Sequence, residues 1–447
     1  MKTSDTVIAK PVNSKAEQLV EELLPKKFSA AGKIWVSLLI VVCLIGAYAY
    51  YRQLRYGLAV TAMRDYASWG IYISNFVFFV AISLVGSLVT AILRLSKIQW
   101  STPLTRIAEI IAVASIVMAA VVIVVDMGRP DRFLYVIFYA RLQSPIVWDV
   151  LVIITYLAIS LLLLYIPLVP DLPLLKKYAK DIPGWRRKLY SRLSLNWEST
   201  PNQVKIINRS IRVLCIMIVP VALAIHTVTS WLFATTYRPG WDSTNFGPYF
   251  VSGAFMVGAA TVIIAMYVFR NYYSLDRYIT HHHFDRMGKL LAMLSLVYLY
   301  FNINEYLLPA YKMKSNEADH IVELFTGEFS IMFWSVQILG MVIPILVLLF
   351  KDGRKPLPMF IVAIAVVVGA WFKRYLIVVP TLLHPFLPIQ NVPEGWKHYY
   401  PTWEEWSIAL ATLAASLLII TFLVRLFPVI PIYETAKEKR IKLDSSI

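Results

Sequence analysis

From its amino terminus the chain is polar to about residue 33, then turns apolar in a series of runs near 20 residues long. These runs lie at 34–51, 69–93, 104–125, 146–168, 212–235, 249–269, 287–308, 329–350, 359–380 and 404–427. About 20 consecutive apolar residues are what a helix needs to cross the hydrocarbon core of a bilayer. A membrane barrel would instead alternate apolar and polar positions in segments of about ten residues. Backbone polar groups in lipid must be bonded within the segment or around a closed sheet. The pattern therefore predicts an all-α integral membrane protein with ten transmembrane helices.

The polar intervals suggest how the ten helices group. Residues 1–33 read as a cytosolic N-terminal arm, with a short helix over Ala16–Leu24. Residues 34–68 hold helix 1 and a polar connector, and 404–447 hold helix 10 and a cytosolic tail. Between them, helices 2–5 (69–235) and helices 6–9 (249–380) are each expected to form a four-helix bundle, with helices 1 and 10 peripheral.

Composition narrows the class. The chain is 58% hydrophobic and 16% charged, against about 25% charged in soluble domains, which excludes a water-soluble globular enzyme. A net charge of +16 would suggest nucleic acid in a soluble protein. Here the placement of Lys and Arg decides otherwise: 30 fall on the side of the termini and 10 on the other. That asymmetry predicts cytoplasmic termini, a lipid bilayer as the surroundings and no nucleic-acid partner. The location expected is the cytoplasmic membrane of a prokaryote.

Polar residues gather at the external ends of helices 2–5. Helix 2 opens with Trp69 and carries Tyr72 and Asn75, three apart and so on one face. Helix 3 ends at Asp126, followed by Gly128-Arg129-Pro130. Helix 4 carries Trp148-Asp149 in its first turn, and helix 5 carries His226 and Trp231 near its outer end. Ionisable residues in membrane helices are costly and usually face a cavity or one another. A quinol needs hydrogen-bond partners at both ends of its ring, acceptors for two protons and a flat apolar slot. Asp126, Asp149 and His226 are the candidate catalytic groups. Trp69, Tyr72, Asn75, Arg129, Trp148 and Trp231 are the candidate quinone-binding residues. Glu305, Lys373 and Arg374 place charge within the second bundle and are candidates for a proton path.

Cofactor chemistry is limited by the ligands at hand. Two cysteines, Cys43 and Cys215, both lie in apolar runs, and no CxxC occurs. Of the seven histidines only His226 lies well within a spanning run, so no haem b or iron–sulfur cluster is expected on this chain. His281-His282-His283 reads as a solvated loop rather than a metal tract.

Several stretches resemble the NrfD/polysulfide reductase membrane-subunit family. They are Trp69-Gly70-Ile71-Tyr72 through Phe79, Asp126-Met127-Gly128-Arg129-Pro130-Asp131-Arg132, and Ser144-Pro145. His226 through Trp231, Arg238-Pro239-Gly240-Trp241, Trp371 through Tyr375, and Pro401 through Trp406 continue the likeness. Within the family the chain is similar to ten-helix members such as the ActC and ActF subunits of alternative complex III. The resemblance implies a subunit of a multi-subunit respiratory complex that holds no cofactor of its own. It implies a menaquinone site near the outer surface and electron exchange with a ferredoxin-like iron–sulfur subunit. A multihaem cytochrome or a molybdopterin-type subunit would complete such a complex, with proton translocation as a further implication. The residues alone leave room for a secondary transporter or ion-conducting protein, or for a structural anchor. Against a transporter, helices 2–4 and 6 lack internal proline; Pro220 and Pro344 interrupt helices 5 and 8.

Overall fold

The computed structural model describes residues 14–25, 28–96, 98–178, 182–387 and 389–441. The first thirteen residues of the arm and the last six of the tail lie outside the described residues. Among those described, nine helices are long and apolar enough to cross a membrane. They are α2 (Ala30–Tyr56), α4 (Thr102–Asp126), α5 (Pro145–Tyr165), α8 (Pro201–Ala234), α9 (Phe246–Tyr272), α10 (His281–Lys312), α12 (from Ser330 to Leu349), α13 (Pro356–Leu383) and α14 (Trp403–Leu426). The tenth, α3, starts as Ile71–Ser83 and continues through a π-helical stretch, Gly86–Ile92, to Leu95. The protein is an all-helical, multi-pass membrane protein.

Local sequence sets the helix starts. Ser29 caps α2 by accepting the Gly32 amide at 3.1 Å. Thr200 and Gln203 form a capping box on α8, as Thr402 and Glu405 do on α14, each satisfying donors that a helix leaves free. Pro145, Pro201 and Pro356 stand in first turns, where a missing amide costs nothing.

Among the described residues, the short helices α1 (Ser14–Leu23), α6 (Asp171–Tyr178), α7 (Gly184–Leu193) and α15 (Ile432–Glu438) lie outside the spans on the side of the termini. α1 packs on α6 and α15, so both ends of the described chain lie on one face. On the opposite face, α11 (Ser315–Phe325) precedes α12. α6, α7 and the first turns of α8 fall between the apolar runs 146–168 and 212–235, where charged residues mask the apolar period. His281–His283 likewise form the first turn of α10 rather than a loop, with His283 Nδ1 accepting the Thr280 amide at 3.1 Å.

Packing runs α3 on α4, α4 on α5, α5 on α8, and α8 on the π-helical part of α3. A second closed set runs α9 on α10, α10 on α12, α12 on α13 and α13 on α9. α3 also touches α9, α13 and α14, while α2 and α14 pair along their length and α14 leans on α4. Every residue from Ile71 to Ser83 is buried, as expected of a helix that is apolar all round. By contrast α2 leaves Ile34, Leu38, Leu44 and Tyr48 exposed, the side chains a lipid-facing helix presents.

Candidate functional site

Two predicted site residues, Asp149 and His226, lie on α5 and α8, which pack against each other. Thr229 Oγ1 donates to Asp149 Oδ1 at 2.7 Å, and the Asp149 side chain is buried. His226 stands one turn before Thr229 on the same helix face. It is 1% exposed, and its Nε2 has no hydrogen-bond partner. A buried ring nitrogen without a partner costs free energy, so His226 offers a free donor or acceptor inside the protein.

Above it, Ser230 and Phe233 continue the same face. Phe233 meets Trp69 edge-on at 5.6 Å and Trp241 at 4.9 Å, and the two indoles stack at 6.0 Å. Trp241 is buried and donates from Nε1 to the Ile377 carbonyl at 2.8 Å. Trp69 thus belongs to an aromatic cap two helical turns beyond His226. Phe233 and Trp241 complete that cap; the sequence offered their aromatic character but nothing to show that they meet.

The other predicted residues are distributed elsewhere. Tyr72 donates to Gln53 Oε1 at 2.8 Å, and Gln53 donates to the Val125 carbonyl at 2.7 Å. Asp126 sits at this end of α4 with Oδ1 unpartnered, close enough to feel the charge of Glu405 on α14. Asn75 Nδ2 donates to Thr412 Oγ1 at 2.7 Å and its Oδ1 accepts from Trp371 Nε1 at 3.3 Å. The polar atoms of Tyr72 and Asn75 are thus taken up by α2, α13 and α14, not by the Asp149–His226 seam. Arg129 is exposed and pairs with Asp131 at 3.1 Å. Trp148 and Trp231 are 36% and 50% exposed on the outer surface of the helices.

Beside the seam, α13 brings buried Arg374 close enough to act on the His226 ring. Arg374 begins a polar network through the second helix set. Tyr298 donates to the Tyr249 hydroxyl at 3.2 Å, Tyr249 to Asn302 Oδ1 at 3.1 Å, and Asn302 to Gln337 Oε1 at 2.8 Å. The Tyr249 and Tyr298 rings stack 5.1 Å apart. Gly253 makes room for them, since a Cβ there would stand 2.7 Å from Tyr298 and 3.1 Å from Arg374. Lys373 bonds the Tyr306 hydroxyl and lies 4.3 Å above that ring. Glu305 lies within range of Lys373, with Oε2 unpartnered. A signal for this network was present in the sequence: Ser295, Tyr298, Asn302 and Glu305 recur at helical spacing along α10.

A small cavity of about 30 Å³, the room of about one water, separates Glu305 from buried His320 on α11. His384 stands 6.0 Å from the His320 ring. Burial first, and then the nearby His384, pull the His320 pKa down to about 3. Among the described residues, no three His, Cys, Asp or Glu side chains converge as metal ligands would.

Comparison with known proteins places this architecture. The profile of the family described as polysulphide reductase, NrfD matches residues 59–385. The chain belongs to the NrfD family. It is 28% identical to a putative dimethyl sulfoxide reductase membrane subunit of Halobacterium salinarum, over 83% of this chain and 80% of that one. It is 23% identical to a selenate reductase subunit of Mesobacillus selenatarsenatis, covering 89% and 94% of the two chains. It is also 23% identical to the integral membrane subunit of menaquinone reductase from Nitratidesulfovibrio vulgaris, covering 89% and 92%. The NrfD match includes Asp149, His226 and Arg374, and α14 lies beyond it.

Proposed function

We propose that this NrfD-family chain is the membrane subunit of a respiratory redox complex and that it oxidises or reduces a quinone, menaquinone in the first instance. The observation that carries the reading is the buried, unpartnered His226 Nε2 beside the Thr229–Asp149 pair and under the Trp69–Phe233–Trp241 cap. The names of the relatives support it: all three are subunits of reductases, two are membrane subunits, and one of these belongs to a menaquinone reductase.

The chemistry follows from the groups. Quinol oxidation releases two protons, and an imidazole or a carboxylate within hydrogen-bond reach is the usual acceptor. His226 takes one quinol hydroxyl proton at Nε2, and Asp149, held in place by Thr229, takes the other; both leave toward the face opposite the termini. The indoles of Trp69 and Trp241 give the ring an apolar wall. Arg374 places a positive charge beside the ring site and favours the quinol anion formed as the proton leaves. Lys373, Glu305 and the tyrosine–asparagine network continue from Arg374 and form a candidate proton path. Electrons pass to or from a ferredoxin-like iron–sulfur subunit docked on the same face, where Trp148, Trp231, Phe138 and Tyr139 are exposed. The complex is completed by a multihaem cytochrome or a molybdopterin-type subunit.

The test uses His226→Ala and Asp149→Asn in the assembled complex. Quinol turnover should fall about 10²–10⁴-fold, the scale of lost acid–base catalysis, while assembly and electron transfer to artificial dyes persist. Wild-type quinol turnover in both assembled variants would place the site elsewhere.

A further inference from the structure

Glu109 stands two turns into α4 from the face that carries the termini, about 10 Å deep at 1.5 Å per residue. It is 2% exposed, and no hydrogen bond of ordinary geometry reaches either carboxylate oxygen, with the Thr90 hydroxyl the one side-chain donor in range. An unpartnered buried polar group costs free energy that packing alone does not return. Ionisable residues at such positions in membrane helices mark function more often than packing.

The helix facing it is broken in a particular way. α3 changes from α to π over Gly86–Ile92, a geometry that recurs at functional sites. Gly86 lets the carboxyl approach the α3 backbone: a Cβ there would stand 3.3 Å from Glu109 Oε2 and 2.8 Å from Ala112 Cβ. Hydroxyls line the same region. Ser87 donates to Leu84 O at 2.7 Å, Thr90 to Thr105 O at 3.3 Å, and the Ser160 hydroxyl has no partner.

The titratable groups around Glu109 come from each neighbouring helix. Arg94 lies at the end of α3, Arg106 one turn earlier on α4, Tyr156 on α5, Cys215 on α8 and Glu434 on α15. Arg106 is committed to Asp171 and Arg94 to Glu434. α9 and α14, which also pack on α4, bring no charge to it.

Two cavities that share Arg94 and Pro167 lie between Glu109 and the aqueous phase. A small cavity bounded by Thr90, Arg94, Thr105 and Glu109 lies toward the face of the termini. Arg94 also lines a cleft of about 790 Å³ there, together with Trp100, Asn208, His283, Glu434 and Lys437. The Arg94–Glu434 pair thus separates the open cleft from the buried carboxyl.

We propose that Glu109 is a proton-exchanging site, loaded from the aqueous phase on the face of the termini through the cleft at Arg94. One proton passes from a hydronium ion in the cleft to a Glu109 oxygen, and no bond to carbon changes. This site is independent of the quinone chemistry assigned to His226.

The test is dicyclohexylcarbodiimide labelling of the assembled complex in sealed, oriented vesicles, read by peptide mass spectrometry. The reagent reacts with the protonated carboxyl, so an adduct should form on Glu109 and disappear in Glu109→Gln. Its rate should fall about tenfold per pH unit as the bath on the face of the termini is raised above the titration midpoint, and ignore the opposite bath. No adduct, a rate that follows the opposite bath, or a rate that follows neither bath would overturn the proposal. Suppression by sodium ions at constant pH would also overturn it, in favour of a cation site. The native side chain is what is labelled, so misfolding of a variant does not enter the result.

Discussion

Asp126, Asp149 and His226 are alike in the sequence, each a lone ionisable group near the end of an apolar run, and they differ in company. Asp149 is held by Thr229, His226 keeps a free ring nitrogen one turn away, and Asp126 lies with Gln53, Tyr72 and Glu405 on the side of α2 and α14. Helix spacing told which residues share a face of their own helix; it did not tell which neighbour that face meets. A residue outside the spans gives a direct prediction. The His320 pKa is depressed to about 3 by burial and by His384, against about 6.5 in an unfolded chain. Above pH 6.5 the ring is neutral in both states and its contribution to stability is fully present. As the pH falls from there toward 3, the unfolded chain binds a proton that the folded one refuses, and stability is lost by up to about 1.4 kcal/mol per unit. Thermal unfolding in detergent between pH 7 and pH 5 should show this slope, and His320→Gln should flatten it.

Short amphipathic helices, rather than the long spans, tie the face of the termini together. Arg106 Nη1 on α4 donates to Asp171 Oδ2 on α6 at 2.6 Å, with both side chains enclosed. Asp171 also accepts the Ile432 and Tyr433 amides at 3.1 and 2.7 Å, at the start of α15. One carboxylate thereby joins a spanning helix, a surface helix and the C-terminal helix. Removing one partner of a buried pair leaves the other charge uncompensated and costs about 3–5 kcal/mol. Asp171→Ala should lower the unfolding temperature and the yield of assembled complex. The double replacement Arg106→Leu with Asp171→Leu should recover part of the loss, since apolar packing often replaces a buried pair. Equal destabilisation in the single and double variants would mean that the carboxylate acts only as the cap of α15.

Across the whole molecule, two closed sets of helices meet along α3, α9 and α13, and α2 with α14 flanks one side. α1 and α15 touch on one face, while α11 lies on the other. Single cysteines at exposed Arg192 on α7 and Lys314 before α11 should therefore react with an impermeant maleimide from opposite sides of the membrane. Positive-inside asymmetry predicts that Arg192→Cys is the cytoplasmic one. Labelling of both from one side would refute the ten-crossing path. The inter-set contact also gives Arg374 its place beside His226, so the quinone chemistry proposed for His226 and the second-set network are expected to communicate through α13.

What the chain determines by itself is what depends on near neighbours in sequence. Hydropathy located the nine long apolar helices found among the described residues and the interrupted one beginning at Ile71, because the need to satisfy backbone groups in lipid acts segment by segment. It also singled out His226, Asp149 and Arg374 as ionisable groups in apolar surroundings. The tertiary structure alone decided their partners. An interhelical contact depends on how each helix is rotated about its axis and on which helix stands opposite, and neither is encoded within one run. Thus Asn75 went to Thr412 and Trp371, more than 290 residues away. Glu109 acquires its surroundings only in the tertiary structure, where the π-helical stretch of α3 stands across from it. Local physics put the residues at their depths; packing between distant segments decided which of them meet.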